Sequence, residues 1–166
     1  LLLIVLVILV WKRKPLRDAL EATAKNVGRP TRDRFTATLE GLVLSLLLAA
    51  PWPLLLATVG WQLRSALETT DLSKGVAAGL LWVSLPLFYL RAFRTLCEPG
   101  GLADAHFGWA DTIRQPLRRE IDRLTMLLFP PAFVAFVLSG SEQITLVGGL
   151  LRLTLMASVI AVARFI

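Results

Sequence analysis

The 166-residue sequence is poor in the residues that carry out chemistry. Cys97 is its one cysteine, which excludes an internal disulfide. His106 is its one histidine, and no second ligand stands near it in the sequence, so no metal site can be read. Cys97 precedes a turn without a neighbouring general base, which points to a structural thiol rather than a nucleophile. No Asp or Glu stands in the middle of a long apolar stretch. Glu40 lies only at the inner end of one, which argues against an intramembrane proton relay. No nucleic-acid recognition module appears, although the net charge is +6. The sequence is therefore read as non-enzymatic, with no catalytic, cofactor-binding or metal-ligating residue and no nucleic-acid partner.

What is abundant is apolar sequence. Hydrophobic residues make up 55% of the chain and the mean hydropathy is +0.66, values that suit a lipid solvent better than water. The opening eleven residues are uninterrupted hydrophobics with no basic region before them and no small-residue cleavage site after them. They read as a truncated spanning helix rather than a leader. With apolar sequence at both ends, the chain is expected to be a piece of a longer integral membrane protein. A bilayer core of about 30 Å needs about 20 helical residues. Five spans are expected, near residues 1–11, 41–61, 75–96, 124–138 and 144–166. Each should be helical, because lipid offers backbone groups no partner. The expected fold is thus an all-α, multi-span membrane domain occupying residues 1–166.

Charge placement predicts orientation. Residues 12–34 hold eight Lys or Arg, 62–74 hold two, 91–123 hold six and 139–143 none. Under the positive-inside rule, loops 12–34 and 97–123 face the cytoplasm and loops 62–74 and 139–143 the periplasm. Within the first basic loop, Pro15 suits a first helical turn and Gly28 a C-terminus. Leu16, Leu20, Ala24 and Val27 recur at helical spacing between them, predicting an amphipathic helix on the inner surface. Thr31 is a candidate N-cap for the second span and Thr112 for the fourth.

A few residues invite a functional reading. Pro51, Pro53, Pro86, Pro130 and Pro131 interrupt three spans; each removes a backbone donor, so kinked and compliant helices are expected. Arg152 lies about 12 Å from the outer end of the last span at 1.5 Å per residue. A side chain of that length reaches outer headgroups, which makes it a candidate lipid contact, with a buried functional charge as the alternative. Gly75 and Gly79 match a close-packing spacing. Residues 102–109 are too apolar for an ordinary solvated loop and are expected to pack at the cytoplasmic interface.

The segment carrying most information is Cys97-Glu98-Pro99-Gly100-Gly101-Leu102-Ala103-Asp104-Ala105-His106-Phe107-Gly108-Trp109. It resembles a stretch in the inner-membrane region of large mechanosensitive channels related to the small-conductance channel MscS, those of MscK/KefA-like or MscM-like type. The pattern there runs approximately P-x-G-L-x-x-x-H-F-x-W, and Pro99, Gly101, Leu102, His106, Phe107 and Trp109 match it. Residues 27–35, Thr38-Leu39 and Ala50-Pro51-Trp52-Pro53-Leu54 resemble the same region. The likeness runs through nearly the whole chain in the order and spacing of its spans.

The resemblance implies a bacterial inner-membrane protein that assembles as a homo-oligomer, a heptamer by analogy. It also implies a long periplasmic region before this stretch, with a Gly/Ala-rich pore helix and a cytoplasmic vestibule after it. The chain would then be the peripheral, lipid-contacting part of a tension-gated channel releasing ions and small solutes on hypoosmotic shock. The motif residues would be structural and interfacial. Arg152, Pro51, Pro53, Pro130 and Pro131 would be lipid-contacting or gating positions. Two alternatives remain at this stage. A secondary transporter or lipid flippase would show a polar cavity at mid-membrane depth, and a membrane anchor of a signalling protein would be followed by catalytic domains.

Overall fold

A computed structural model describes residues 2–26, 34–66, 70–139 and the positions 149, 153, 156 and 160. Seven helices are found among these residues and no strand: α1 (Leu2–Trp11), α2 (Arg13–Asn26), α3 (Arg34–Ala49), α4 (Pro51–Arg64), α5 (Asp71–Leu96), α6 (Leu102–Ala105) and α7 (Asp111–Ser139). The all-α expectation holds. Of the expected spans, 75–96 is met by a single helix, α5, with 26 residues. The 41–61 span is met only by a helix pair, α3 and α4, bent by 49° at its break. By length and composition the described residues thus supply one membrane-crossing helix, or two if the bent pair is one span. The 1–11 stretch forms the 10-residue α1. The 124–138 stretch is the apolar second half of α7, whose first half is charged. Most of 144–166, Arg152 included, lies outside the described residues, as does Thr31.

The bend has a local cause. Pro51 and Pro53 have no N–H, so the carbonyls of Leu47 and Ala49 lose their partners four residues on. Ala50 still donates to the Leu46 carbonyl at 3.1 Å, so the helix runs intact up to the first proline. Pro86, by contrast, sits inside α5, and Pro130 and Pro131 sit inside α7, without ending either helix. The start of α7 also differs from expectation. The Ala110 carbonyl accepts from the N–H of Ile113 and Arg114, so Thr112 lies inside the first turn instead of capping it. Asp111 takes the acidic first-turn position that the helix dipole favours.

The chain divides into two compact units, residues 1–52 with 88–121, and residues 53–87 with 122–166. In the first, α1 passes into α2 through Lys12 alone, with helical bonds on both sides of it: Lys12 donates to Ile8 at 2.8 Å and Leu16 to Lys12 at 3.0 Å. The side chains of α1 from Ile4 to Val10 are largely exposed apolar groups. The expected helix is present as α2, where Leu20 is buried and the helix packs on α3 and α6.

The second unit is built on small residues. A Cβ added at Gly75 would lie 2.5 Å from the Val137 carbonyl oxygen, and one at Gly79 3.1 Å from the Phe133 ring. The Gly75/Gly79 spacing therefore lets α5 and the second half of α7 touch at backbone distance. Ala77 and Ala135 are buried, and Trp82 stacks on Phe136 with centroids 5.6 Å apart.

Candidate functional site

The segment 97–114 of the first unit concentrates the polar contacts of the described residues. α5 ends at Leu96, and the chain reverses through Cys97 to Gly101. Gly100 has φ +71°, a left-handed conformation that glycine takes without steric cost. Gly101 has ordinary φ but no room. Its Cβ would sit 2.8, 2.8 and 2.9 Å from the carbonyl oxygens of Glu98, Leu96 and Thr95. The motif glycine is thus required by close approach, whereas its neighbour is favoured by backbone angle. The Asp104 carboxylate accepts from the Gly100 N–H at 2.9 Å and locks the turn onto α6. Beyond α6, Gly108 (φ +62°) donates to the Asp104 carbonyl at 3.1 Å, the arrangement that closes many helix C-termini. Trp109 donates to the Ala103 carbonyl at 2.9 Å.

The other motif residues divide between core and surface. Leu102 is buried over Gly41, where an added Cβ would come 3.0 Å from its Cδ1. His106 is half-buried, its Nδ1 2.9 Å from the Thr38 hydroxyl. Pro99, Phe107 and Trp109 are exposed. Burial lowers the His106 pKa from its ordinary value near 6.5. Burial also raises the Cys97 thiol pKa, with Arg114 and Arg118 opposing, so Cys97 stays protonated and a poor nucleophile. No group of three His, Cys, Asp or Glu side chains comes together among the described residues.

Arg114 is the residue that reading the sequence missed. It is buried and serves four partners. Nε donates to the Trp109 carbonyl at 2.8 Å and Nη1 to the Glu98 carbonyl at 3.3 Å. Nη2 reaches Asp111 at 2.6 Å and Asp104 at 3.1 Å. The planar guanidinium has the donors to hold both ends of the motif at once. Asp111 and Arg114 stand three apart on a helix, and that spacing was the one legible sign. On the outer side, Glu98 pairs with Arg94 at 3.0 Å and with Arg17 of α2 at 3.6 Å. The two basic loops therefore touch each other through Arg17–Glu98, while His106 of the second meets Thr38 of α3.

The whole chain, residues 1–166, matches the family described as mechanosensitive ion channel inner membrane domain 1. The chain belongs to this family. A curated relative, the miniconductance mechanosensitive channel MscM of Escherichia coli (strain K12), is 37% identical over 105 residues, covering 60% of this chain and 9% of the relative. The chain thus spans a small part of the length of the curated relative it matches. No solved structure matches it. In this inner membrane domain of the MscS family, the P-x-G-L-x-x-x-H-F-x-W stretch closes on itself through Gly101, Asp104 and Arg114. It meets α3 through Leu102 and His106.

The depressed His106 pKa makes one prediction. The fold holds the imidazole neutral where the unfolded chain would protonate it. The resulting stability is complete above pH 6.5 and is lost as pH falls from there through the folded-state value. Thermal melting of the full-length protein between pH 7.5 and 5.5 should show a drop that His106→Gln reduces. Equal drops in the two proteins would show that the ring does not titrate against folding.

Proposed function

We propose that this domain is the peripheral, lipid-contacting part of a homo-oligomeric, tension-gated channel that releases ions and small solutes on hypoosmotic shock. By resemblance the oligomer is a heptamer. The pore belongs to sequence outside this chain, and the domain tunes gating. The observation that carries the reading is the inversion of side-chain size between surface and interior. Ile4, Val7, Trp82, Leu85, Tyr89, Phe93, Met126 and Leu127 are exposed, while Gly75, Gly79, Ala77 and Ala135 supply the close approach of α5 and α7 in the second unit. Such surfaces suit hydrocarbon. Tension favours whichever state has the larger in-plane area, so lipid-facing helices bias the equilibrium. The bent α3–α4 pair provides a compliant element within that surface.

Patch-clamp recording of the full-length channel under graded suction tests this. Pro51→Ala, Pro53→Ala, Pro130→Ala, Pro131→Ala and Arg152→Leu are expected to shift the tension midpoint and leave unitary conductance unchanged. A changed conductance would place these positions on the permeation path.

The topology read from the charges is part of the proposal: residues 12–34 and 97–123 cytoplasmic, 62–74 and 139–143 periplasmic. The contact between α2 and the motif segment supports a shared side for the two basic loops. In a Cys97→Ser background, single cysteines at Ser73 and Ser141 should react with an impermeant thiol reagent added to spheroplasts. Cysteines at Lys25 and Asp104 should not. Labelling of the latter pair from outside would invert the assignment.

A further inference from the structure

Within the first unit, a small cleft fixes which parts of the chain stand at one level. Arg13 and Arg17 of α2, Leu48 and Ala49 at the end of α3, Arg91 and Arg94 of α5, and Glu98 beyond it line this cleft together. Nearer the start of α3, Gly41 faces Leu20, so α2 and α3 run antiparallel, with the start of α2 beside the end of α3. Glu98 pairs with Arg94 at 3.0 Å and Arg17 at 3.6 Å. Even when paired, ionised side chains are costly in hydrocarbon and settle at headgroup depth. Exposed aromatic rings mark the same level. Trp11 shortly precedes Arg13, Trp52 has the Arg91 guanidinium 6.0 Å from its ring centroid, and Tyr89 and Phe93 flank Arg91. Amphipathic rings gather at the membrane–water interface. The bilayer surface therefore passes through the break between α3 and α4, which leaves α3 outside the hydrocarbon core.

We propose that α3 is a surface helix, with an apolar stripe set among the headgroups and upper acyl chains of the bilayer. Gly41, Ser45, Leu48 and Ala49 form its buried side, where Gly41 lies against Leu20 of α2 and Leu102 of α6. Leu39, Val43 and Leu47 recur every fourth residue on the opposite side and are exposed. Glu40 is exposed at the edge of this stripe. An interfacial helix buries its apolar face by only about 5–10 Å, which leaves Glu40 in water. The bend supplies the inclination. Where the 49° bend adds to an ordinary membrane-helix tilt of about 20°, α3 comes to about 70° from the bilayer normal. The inference rests on the reading of this domain as lipid-contacting, and it replaces a single span at 41–61 by a surface helix followed by α4.

The test uses cysteine-free full-length protein in nanodiscs of phosphatidylethanolamine and phosphatidylglycerol. A nitroxide is attached at Leu39→Cys, Val43→Cys or Leu47→Cys, all exposed positions. Collisions with oxygen and with a water-soluble nickel chelate then give the depth of each label. The three labels should lie within about 4 Å of one depth, at the boundary between headgroups and acyl chains. An upright α3 would carry the label about 12 Å deeper at Leu47 than at Leu39, at 1.5 Å per residue, and that gradient overturns the proposal. Labels open to the nickel chelate at all three sites overturn it by putting water on the stripe. Labels shielded from both reagents overturn it by putting protein there. Leu85→Cys checks lipid contact separately. It is exposed on the apolar body of α5, and its label should collide strongly with oxygen whichever way α3 lies. Failure at Leu85 would remove the lipid-contacting reading, whereas a depth gradient along α3 with Leu85 in lipid would remove this inference alone.

Discussion

Arg114→Met is expected to cost the first unit about 3–5 kcal/mol, the range for breaking a buried ion pair by removing one partner. The side chain is 6% exposed, and its loss removes the Arg114 donor from the Trp109 carbonyl and leaves the Glu98 carbonyl with the Gly101 N–H and the Asp104 carboxylate with the Gly100 N–H. Methionine replaces the volume, so the loss reads hydrogen bonding and charge rather than a cavity. Arg114→Lys should recover little, because a single ammonium cannot reach partners on opposite sides of the turn. Melting of the full-length protein in detergent should fall by roughly 10 °C in both variants. A fall of a degree or two would mean that the turn is held by its backbone bonds alone.

Gly101→Ala is the second change expected to be large, at about 3 kcal/mol, the upper end for forcing an extra methyl into packed structure. The methyl would meet three backbone carbonyl oxygens within 2.9 Å, and no flexible side chain is available to give way. The backbone is pinned there as well, with Gly101 donating to Glu98 at 2.8 Å and Glu98 to Thr95 at 3.1 Å. Gly108→Ala is the internal comparison. Its Cβ meets nothing within 4 Å, so only the left-handed φ of +62° is penalised, by about 1 kcal/mol. Gly108→Asn should recover most of that, since asparagine tolerates this conformation. Melting temperatures should rank wild type above Gly108→Ala and Gly108→Ala above Gly101→Ala. The reverse order would show that backbone angle, not close approach, governs this segment.

Helical class, family and the main apolar elements were legible in the residues, because each depends on neighbours within one or two turns. The 16-to-20 spacing of leucines announced α2, the Pro51/Pro53 pair announced the bend after α3, and the apolar run through residue 90 announced α5. The motif from Pro99 to Trp109 pointed to the family that the whole chain matches. Boundaries were less legible. The short apolar stretch at 124–138 is the far half of a helix beginning at Asp111, because the thirteen residues before it, nine of them charged or polar, continue the same backbone ladder. Pro130 and Pro131 give no local sign of whether they end a helix or ride inside one.

What tertiary structure alone decided is which polar side chains meet. Arg114 reaches a carbonyl 16 residues away and Thr38 a histidine 68 residues away. No periodicity encodes such pairs, since they depend on the path of the chain between them. The same is true of a small cleft that Arg13 and Arg17 of α2 line together with Arg91 and Arg94 of α5. In the sequence these are merely two basic loops, a pattern that accounts for orientation and nothing more. Folding α2 back on α3 and α6 turns those loops into one surface. The physical reason is range: hydrophobic pattern acts along a helix, whereas charge and hydrogen bonding act across whatever space the fold has closed.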